Sequence, residues 1–156
     1  MALETKFSEV AENKFYSLAY NQLLREHKLM GSRCKKCGHV TIPPKPICPQ
    51  CNGTEMELVE MKGGGKLAAY TVVAVGAPLM VEEGYGREKH YCCGIVELDE
   101  GAKICARILG VDTSKPEQIK IGTPVKLEYV ETAHAEDPTH EKGERTFLAF
   151  RVLSQT

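Results

Sequence analysis

The sequence predicts a mainly β chain in three parts: an N-terminal helix, a small ribbon clamped by a metal ion, and a five-stranded barrel. Three observations carry that expectation. Cys34-Lys35-Lys36-Cys37-Gly38 is followed, ten residues later, by Cys48-Pro49-Gln50-Cys51. The stretch up to His27 contains neither proline nor glycine. Beyond Gly63-Gly64-Gly65 the chain turns to runs of β-branched and aromatic residues with turn signals between them.

The cysteine pattern is the strongest of the three. In each C-x-x-C pair the first cysteine opens a tight turn and the second points its sulfur back at the same centre. Gly38 suits the position after the second ligand, where a positive φ is often needed. Four thiolates close a tetrahedral zinc site with no position left for a substrate, so Cys34, Cys37, Cys48 and Cys51 are expected to hold structural zinc. Iron is the first competitor, because C-x-x-C-G with C-P-x-C resembles a rubredoxin knuckle pair. Two disulfides fit less well with seven cysteines and a start, Met1 to Lys6, that lacks the basic and then apolar sequence of a secretory signal. A thioredoxin-like pair would leave the second C-x-x-C unexplained.

Around this centre the chain divides into residues 1–30, helical, residues 31–62, the ribbon, and residues 63–156, the barrel. The helix is expected from Ser8, a good N-cap, to about His27, with Ala11, Phe15, Leu18 and Ala19 on one face. That face packs either on its own domain or on another subunit. In the ribbon, Val40 to Ile42 reads as a short strand, Pro43, Pro44 and Pro46 force an extended crossing, and Glu55 to Met61 is the strand that leaves. Gly63 to Gly65 reads as a break and a domain boundary. Strands follow at Leu67 to Val75, Tyr91 to Leu98, Lys103 to Leu109, Val125 to Val130 and Thr146 to Leu153. The turn Asp99-Glu100-Gly101 makes the second and third a hairpin. A helical turn within Thr113 to Ile119, opened by Pro116 and capped by Thr113 or Ser114, would fall between the third and fourth. That is the element order of an OB barrel. Met80 to His90 and Ala133 to Glu144 are left as loops, in the places that flank the binding face of such barrels.

A chain of 156 residues with 42% hydrophobic and 26% charged residues is of ordinary globular composition, so disorder is not expected. It has no apolar run long enough to cross a bilayer, and a cytoplasmic location is expected. A formal net charge of -1 argues against a chain whose business is coating nucleic acid. A single-stranded nucleic-acid binder nevertheless remains the rival reading, because ribbons and OB barrels are both common there. The absence of tryptophan, and of basic and aromatic alternation on the barrel strands, weighs against it.

Taken together, the ribbon from Cys34 to Cys51, the linker Gly63-Gly64-Gly65-Lys66 running into Tyr70-Thr71-Val72-Val73, Gly94-Ile95-Val96-Glu97-Leu98-Asp99-Glu100-Gly101 and Ile121-Gly122-Thr123-Pro124-Val125 are specific. In these the sequence resembles the proteins that join a rubredoxin-like zinc ribbon to an OB fold and work beside thiolase-like enzymes on acyl-CoA. The resemblance runs from the N-terminal helix to about Val152. It implies a subunit without catalytic residues of its own, required by a thiolase-type acyltransferase complex. The catalytic partner would be a thiolase, a hydroxymethylglutaryl-CoA synthase or a thiolase-like aldolase; thiolases that cleave benzoylsuccinyl-CoA are one such case. The small subunit would dock on that partner in a hetero-oligomer, two-to-two or larger, and help hold CoA or acyl-CoA. Two departures limit the transfer of loop contacts: Lys45 stands where arginine is common, and His90-Tyr91-Cys92-Cys93 replaces a proline-tyrosine lead into the strand.

CoA phosphates call for cations. Arg33, Lys35, Lys36 and Lys45 gather on the ribbon, with Arg25 and Lys28 just upstream, and are the candidate CoA-binding residues; solvated lysines offsetting the thiolate charge are the competing reading. Cys92, Cys93 and Cys105 lie in apolar strands and are expected to be small buried hydrophobes. His39, His90, His134 and His140 form no triad, and no nucleophile, base and orienting group come together in the sequence.

Overall fold

The computed structural model describes Phe15, residues 17–132 and residues 145–153. Their elements are α1 (Ser17–Arg25), β1 (Met30–Cys34), β2 (Val40–Thr41), β3 (Met56–Glu60), β4 (Gly64–Val73), α2 (Pro78–Glu82), β5 (Tyr91–Leu98), β6 (Lys103–Leu109), a 3-10 turn (Pro116–Gln118), β7 (Pro124–Thr132) and β8 (Arg145–Val152). Two compact units result. One holds the described residues of Met1–Lys62, Glu100–Ala102 and Tyr129–Phe147; the other holds those of Gly63–Asp99, Lys103–Glu128 and Leu148–Thr156.

In the first unit α1 ends at Arg25, two residues before the expected His27. His27 sits at φ 57°, the left-handed conformation that stops a helix. Its N–H donates to Leu24 O at 2.9 Å, and the Lys28 N–H donates to Leu23 O at 2.9 Å. The His27 ring lies flat on Tyr129 at 4.6 Å, with Nε2 3.0 Å from Glu131 Oε1. On the expected apolar face Leu18 is 55% exposed and Ala19 half-buried, whereas Leu24, outside that face, is buried. The proposed start at Ser8 and Ala11 lie outside the described residues. Tyr20 is pushed up to about 12 by burial, with Tyr129 adding to it.

The ribbon is a three-stranded antiparallel sheet in the order β2-β1-β3. Its central strand, β1, was not expected: Met-Gly-Ser-Arg-Cys has no strand periodicity. Gly31 is there because a Cβ would lie 2.4 Å from Met61 Cε and 2.6 Å from Thr41 O. Ser32, fully buried, lies 3.0 Å from Thr41 Oγ1, accepts the Lys45 N–H at 2.9 Å and is within 3.2 Å of Lys45 O. One hydroxyl thus ties the proline crossing to the sheet.

Five strands close a barrel in the order β4-β5-β6-β8-β7, with β6 and β8 parallel. This is the expected OB arrangement, and β5 and β6 begin and end where the sequence placed them. Inward residues alternate along β5, where Cys92, Gly94, Val96 and Leu98 are buried. With Leu67, Ile108, Val125 and Phe150 they form the core. Three details differ from expectation. Gly64 and Gly65 are the first residues of β4 rather than a break, because a Cβ on Gly65 would lie 2.5 Å from Glu97 O across the β4–β5 pair. Met80 to His90 is not wholly loop, since Pro78 opens α2. The 3-10 turn opens at Pro116 as expected but has no side-chain cap; Ser114 instead donates its N–H and hydroxyl to Asp112 Oδ1 at 2.9 and 2.6 Å. Ala133 to Glu144, with His134 and His140, lies outside the described residues. Among the described residues no helix is long and apolar enough to cross a membrane.

Candidate metal centre

The two knuckles repeat one construction. The Gly38 N–H donates to Cys34 O at 2.8 Å and the Asn52 N–H to Cys48 O at 2.9 Å; the Cys34 N–H donates to His39 O and the Cys48 N–H to Gly53 O, both at 2.9 Å. Each turn is reversed by a residue in the left-handed region, Gly38 at φ 77° and Asn52 at φ 56°. Asparagine tolerates that conformation better than most side chains, so the second knuckle manages without the glycine of the first. A Cβ on Gly53 would stand 3.3 Å from Cys51 Sγ and 3.5 Å from Cys34 Sγ, at the edge of the sulfur cluster.

The four sulfurs of Cys34, Cys37, Cys48 and Cys51 lie within 4.8 Å of one another. Across the knuckles, Cys34 and Cys51 are 3.6 Å apart and Cys37 and Cys48 3.5 Å. Zinc–sulfur bonds of about 2.3 Å in a tetrahedron require sulfur–sulfur edges of about 3.8 Å, whereas a disulfide requires about 2.05 Å. The described arrangement fits a single tetrahedral ion, and all four cysteines are free. Cys34 and Cys48 are buried, and Cys37 lies at the surface. His39 is exposed and outside the cluster.

Electrostatics point the same way. The Cys37 N–H directed at Cys34 draws that thiol down to about 7, helped by the Lys36 N–H and the neighbouring thiols against desolvation. At Cys37 the His39 N–H acts in the same direction, but desolvation and the other three sulfurs outweigh it and push the thiol up to about 12. A thiolate forms readily at Cys34 and is opposed at Cys37. A divalent cation removes that opposition.

Arg33, Lys35, Lys36 and Lys45 are all exposed, and none is held in an ion pair among the described residues. Lys35 and Lys36 fill the two positions between the first pair of ligands, while Arg33 faces Glu57 across the β1–β3 ladder. Upstream, Lys28 is engaged by Glu26 at 3.2 Å.

The barrel cysteines are not alike. Cys92 is buried, its thiol pushed up to about 11 by burial and by Cys93; Cys93 is half-buried and is raised by burial and by Cys105. Cys105 is exposed, contrary to the buried role expected for it, because it falls on the outward phase of β6. Sequence reading also missed the anchor of the β4–β5 connection. Arg107, also on the outward phase of β6, pairs with Glu83 at 2.9 Å, both side chains being nearly buried. It also lies over the Tyr85 ring at 5.3 Å and reaches Met80 Sδ at 3.3 Å. An arginine inside the apolar run from Ile104 to Leu109 was the available signal.

Residues 22–57 match the family described as the ChsH2 rubredoxin-like zinc ribbon domain, and residues 58–130 the ChsH2 C-terminal OB-fold domain. A DUF35 domain-containing scaffold protein of Methanocaldococcus jannaschii is 36% identical over 115 residues, covering 73% of this chain and 76% of that one. The chain belongs to the ChsH2/DUF35 family. Within it, benzoylsuccinyl-CoA thiolase subunit BbsA of Thauera aromatica is 34% identical over 86 residues, 55% of either chain. Among solved structures, a chain of the Ltp2-ChsH2(DUF35) aldolase superposes with a TM-score of 0.61 at 27% identity, covering 85% of this chain and 91% of that one.

Proposed function

We propose that this chain is a cytoplasmic, non-catalytic accessory subunit of an acyl-CoA-processing, thiolase-like complex, that Cys34, Cys37, Cys48 and Cys51 hold structural zinc, and that the ribbon takes part in docking and in binding CoA or acyl-CoA. The observation that carries it is the joining of a four-cysteine ribbon to a closed OB barrel in a family whose members are named as a scaffold protein, a thiolase subunit and a component of an aldolase. The geometry of the sulfurs supports the zinc. The exposed cations Arg33, Lys35, Lys36 and Lys45, in no ion pair among the described residues, support a contact with CoA phosphates.

Purification from the native host under mild conditions tests this reading. A thiolase-like subunit in stoichiometric amount and one zinc per chain are expected. Recovery with nucleic acid alone overturns the reading, and a coloured protein carrying iron overturns the zinc assignment. In the recovered complex, replacing Lys35, Lys36 and Lys45 together with alanine should weaken CoA binding by roughly tenfold at low salt, less at high salt. Unchanged affinity at low salt removes the phosphate contact.

A further inference from the structure

Among the described residues, the ribbon sheet leaves one side of β3 without a paired strand. In the order β2-β1-β3, β3 pairs with β1 alone. The ladder tells which backbone groups remain. Just beyond its two ends the Lys35 N–H donates to Glu55 O and the Met61 N–H donates to Leu29 O. Antiparallel pairs alternate between bonded and non-bonded, so Arg33–Glu57 and Gly31–Val59 are bonded pairs, while Ser32–Leu58 and Met30–Glu60 are not. The N–H and C=O groups of Leu58 and Glu60 therefore point away from β1. Among the described residues no strand takes them up.

Charge gives this edge a polarity. Glu55, Glu57 and Glu60 are exposed along it, and none is in an ion pair among the described residues. Leu58 and Val59 are half-buried, one on each face of the sheet. Such an edge is a template for another extended segment. A second copy of β3 is a poor occupant, because it would bring both sets of glutamates into one ladder, where like charges oppose pairing.

We propose that β3 receives an extended segment of the catalytic partner, with lysine or arginine beside Glu57 and an apolar residue beside Leu58. This deepens the accessory-subunit reading and rests on it. The test compares the complex with the thiolase-like subunit recovered from the host, formed by the wild-type chain, by Glu60→Pro and by Glu57→Lys. Proline at 60 removes an outward N–H and an exposed side chain while leaving the β1–β3 bonds in place. Both variants should keep one zinc per chain and bind the partner at least about tenfold more weakly, the Glu57→Lys defect shrinking at high salt. In the wild type, the Leu58 and Glu60 amides should exchange with solvent more slowly in the complex than in the free chain. Should Glu60→Pro lose zinc, Glu57→Lys and amide exchange decide. If both variants bind as wild type, or if those two amides exchange equally fast free and bound, the edge is not the docking site and the accessory role stands. If the wild type yields no thiolase-like subunit, both readings fall.

Discussion

In the ribbon the deeply buried side chains include Ser32, Cys34 and Cys48; in the barrel they are Leu67, Val96, Leu98, Val125 and Phe150. The first set removes little hydrocarbon from water, whereas burying each aliphatic or aromatic side chain of the second is worth about 1.5–3 kcal/mol. Roughly thirty residues carrying four prolines and few large apolar groups have little burial to fix a shape, so four sulfurs around one ion would supply most of it. The two regions should therefore fail under different insults, chelation for one and loss of packing for the other.

Breaking the ligand set should have the largest effect. Structural zinc in units of this size contributes about 10–16 kcal/mol at neutral pH. Cys48→Ser should reduce zinc from one equivalent to none and abolish amide protection across β1 and β3, while the barrel's strands keep theirs. Elemental analysis and hydrogen exchange check both halves. A mutant ribbon that keeps its protection without metal would dissolve the contrast.

The converse experiment is Phe150→Ala. Phe150 is fully buried in the barrel, and truncating such a ring costs about 3–5 kcal/mol. Denaturant unfolding followed on the barrel should shift accordingly, with zinc content unchanged. Loss of zinc at the same denaturant concentration would mean that the two regions unfold as one.

How far each region could be read from sequence follows the same division. β5 and β6 were placed to the residue because the turn Asp99-Glu100-Gly101 separates two runs of strand-forming residues. The ligands were legible because C-x-x-C fixes which sulfurs converge. What escaped was held by tertiary contact instead of pattern. β1 is a strand because Gly31 admits Met61 and Thr41 and because Ser32 bonds the proline crossing, and neither residue favours strands by itself. Gly64 and Gly65 resemble a linker in sequence, yet they are in the sheet because the facing β5 backbone comes too close for a Cβ. Five residues of α2 are too few to show a period, and the outward phase of Cys105 was masked by the apolar residues around it.

Ser32 gives a smaller, sharper comparison within the ribbon. Ser32→Ala strips the Lys45 N–H of its acceptor and Thr41 Oγ1 of its partner, at a cost of about 1–3 kcal/mol. The effect should be read in the ribbon alone, as faster zinc loss to a competing chelator, with the barrel's unfolding midpoint unmoved. A shifted barrel midpoint would show that the proline crossing supports more than the metal site.

The smallest expected effect lies in the barrel, at Arg151 and Glu128. Arg151 Nε donates to Glu128 Oε2 at 2.6 Å and Nη2 to Oε1 at 2.9 Å. Those bonds hold the Glu128 carboxyl below the ordinary glutamate range. Both side chains are about half exposed, so water and salt screen most of the gain. A carboxyl whose folded pKa is depressed contributes stability above its unfolded pKa and loses it as pH falls through the folded one. The contribution is therefore present at neutral pH and fades in acid. Glu128→Gln should melt slightly below wild type at pH 7, and the gap should close as pH falls below the glutamate range or as salt is raised. A gap of constant size at low pH would assign the difference to packing or to the neutral hydrogen bond, leaving charge with no measurable part in holding the barrel.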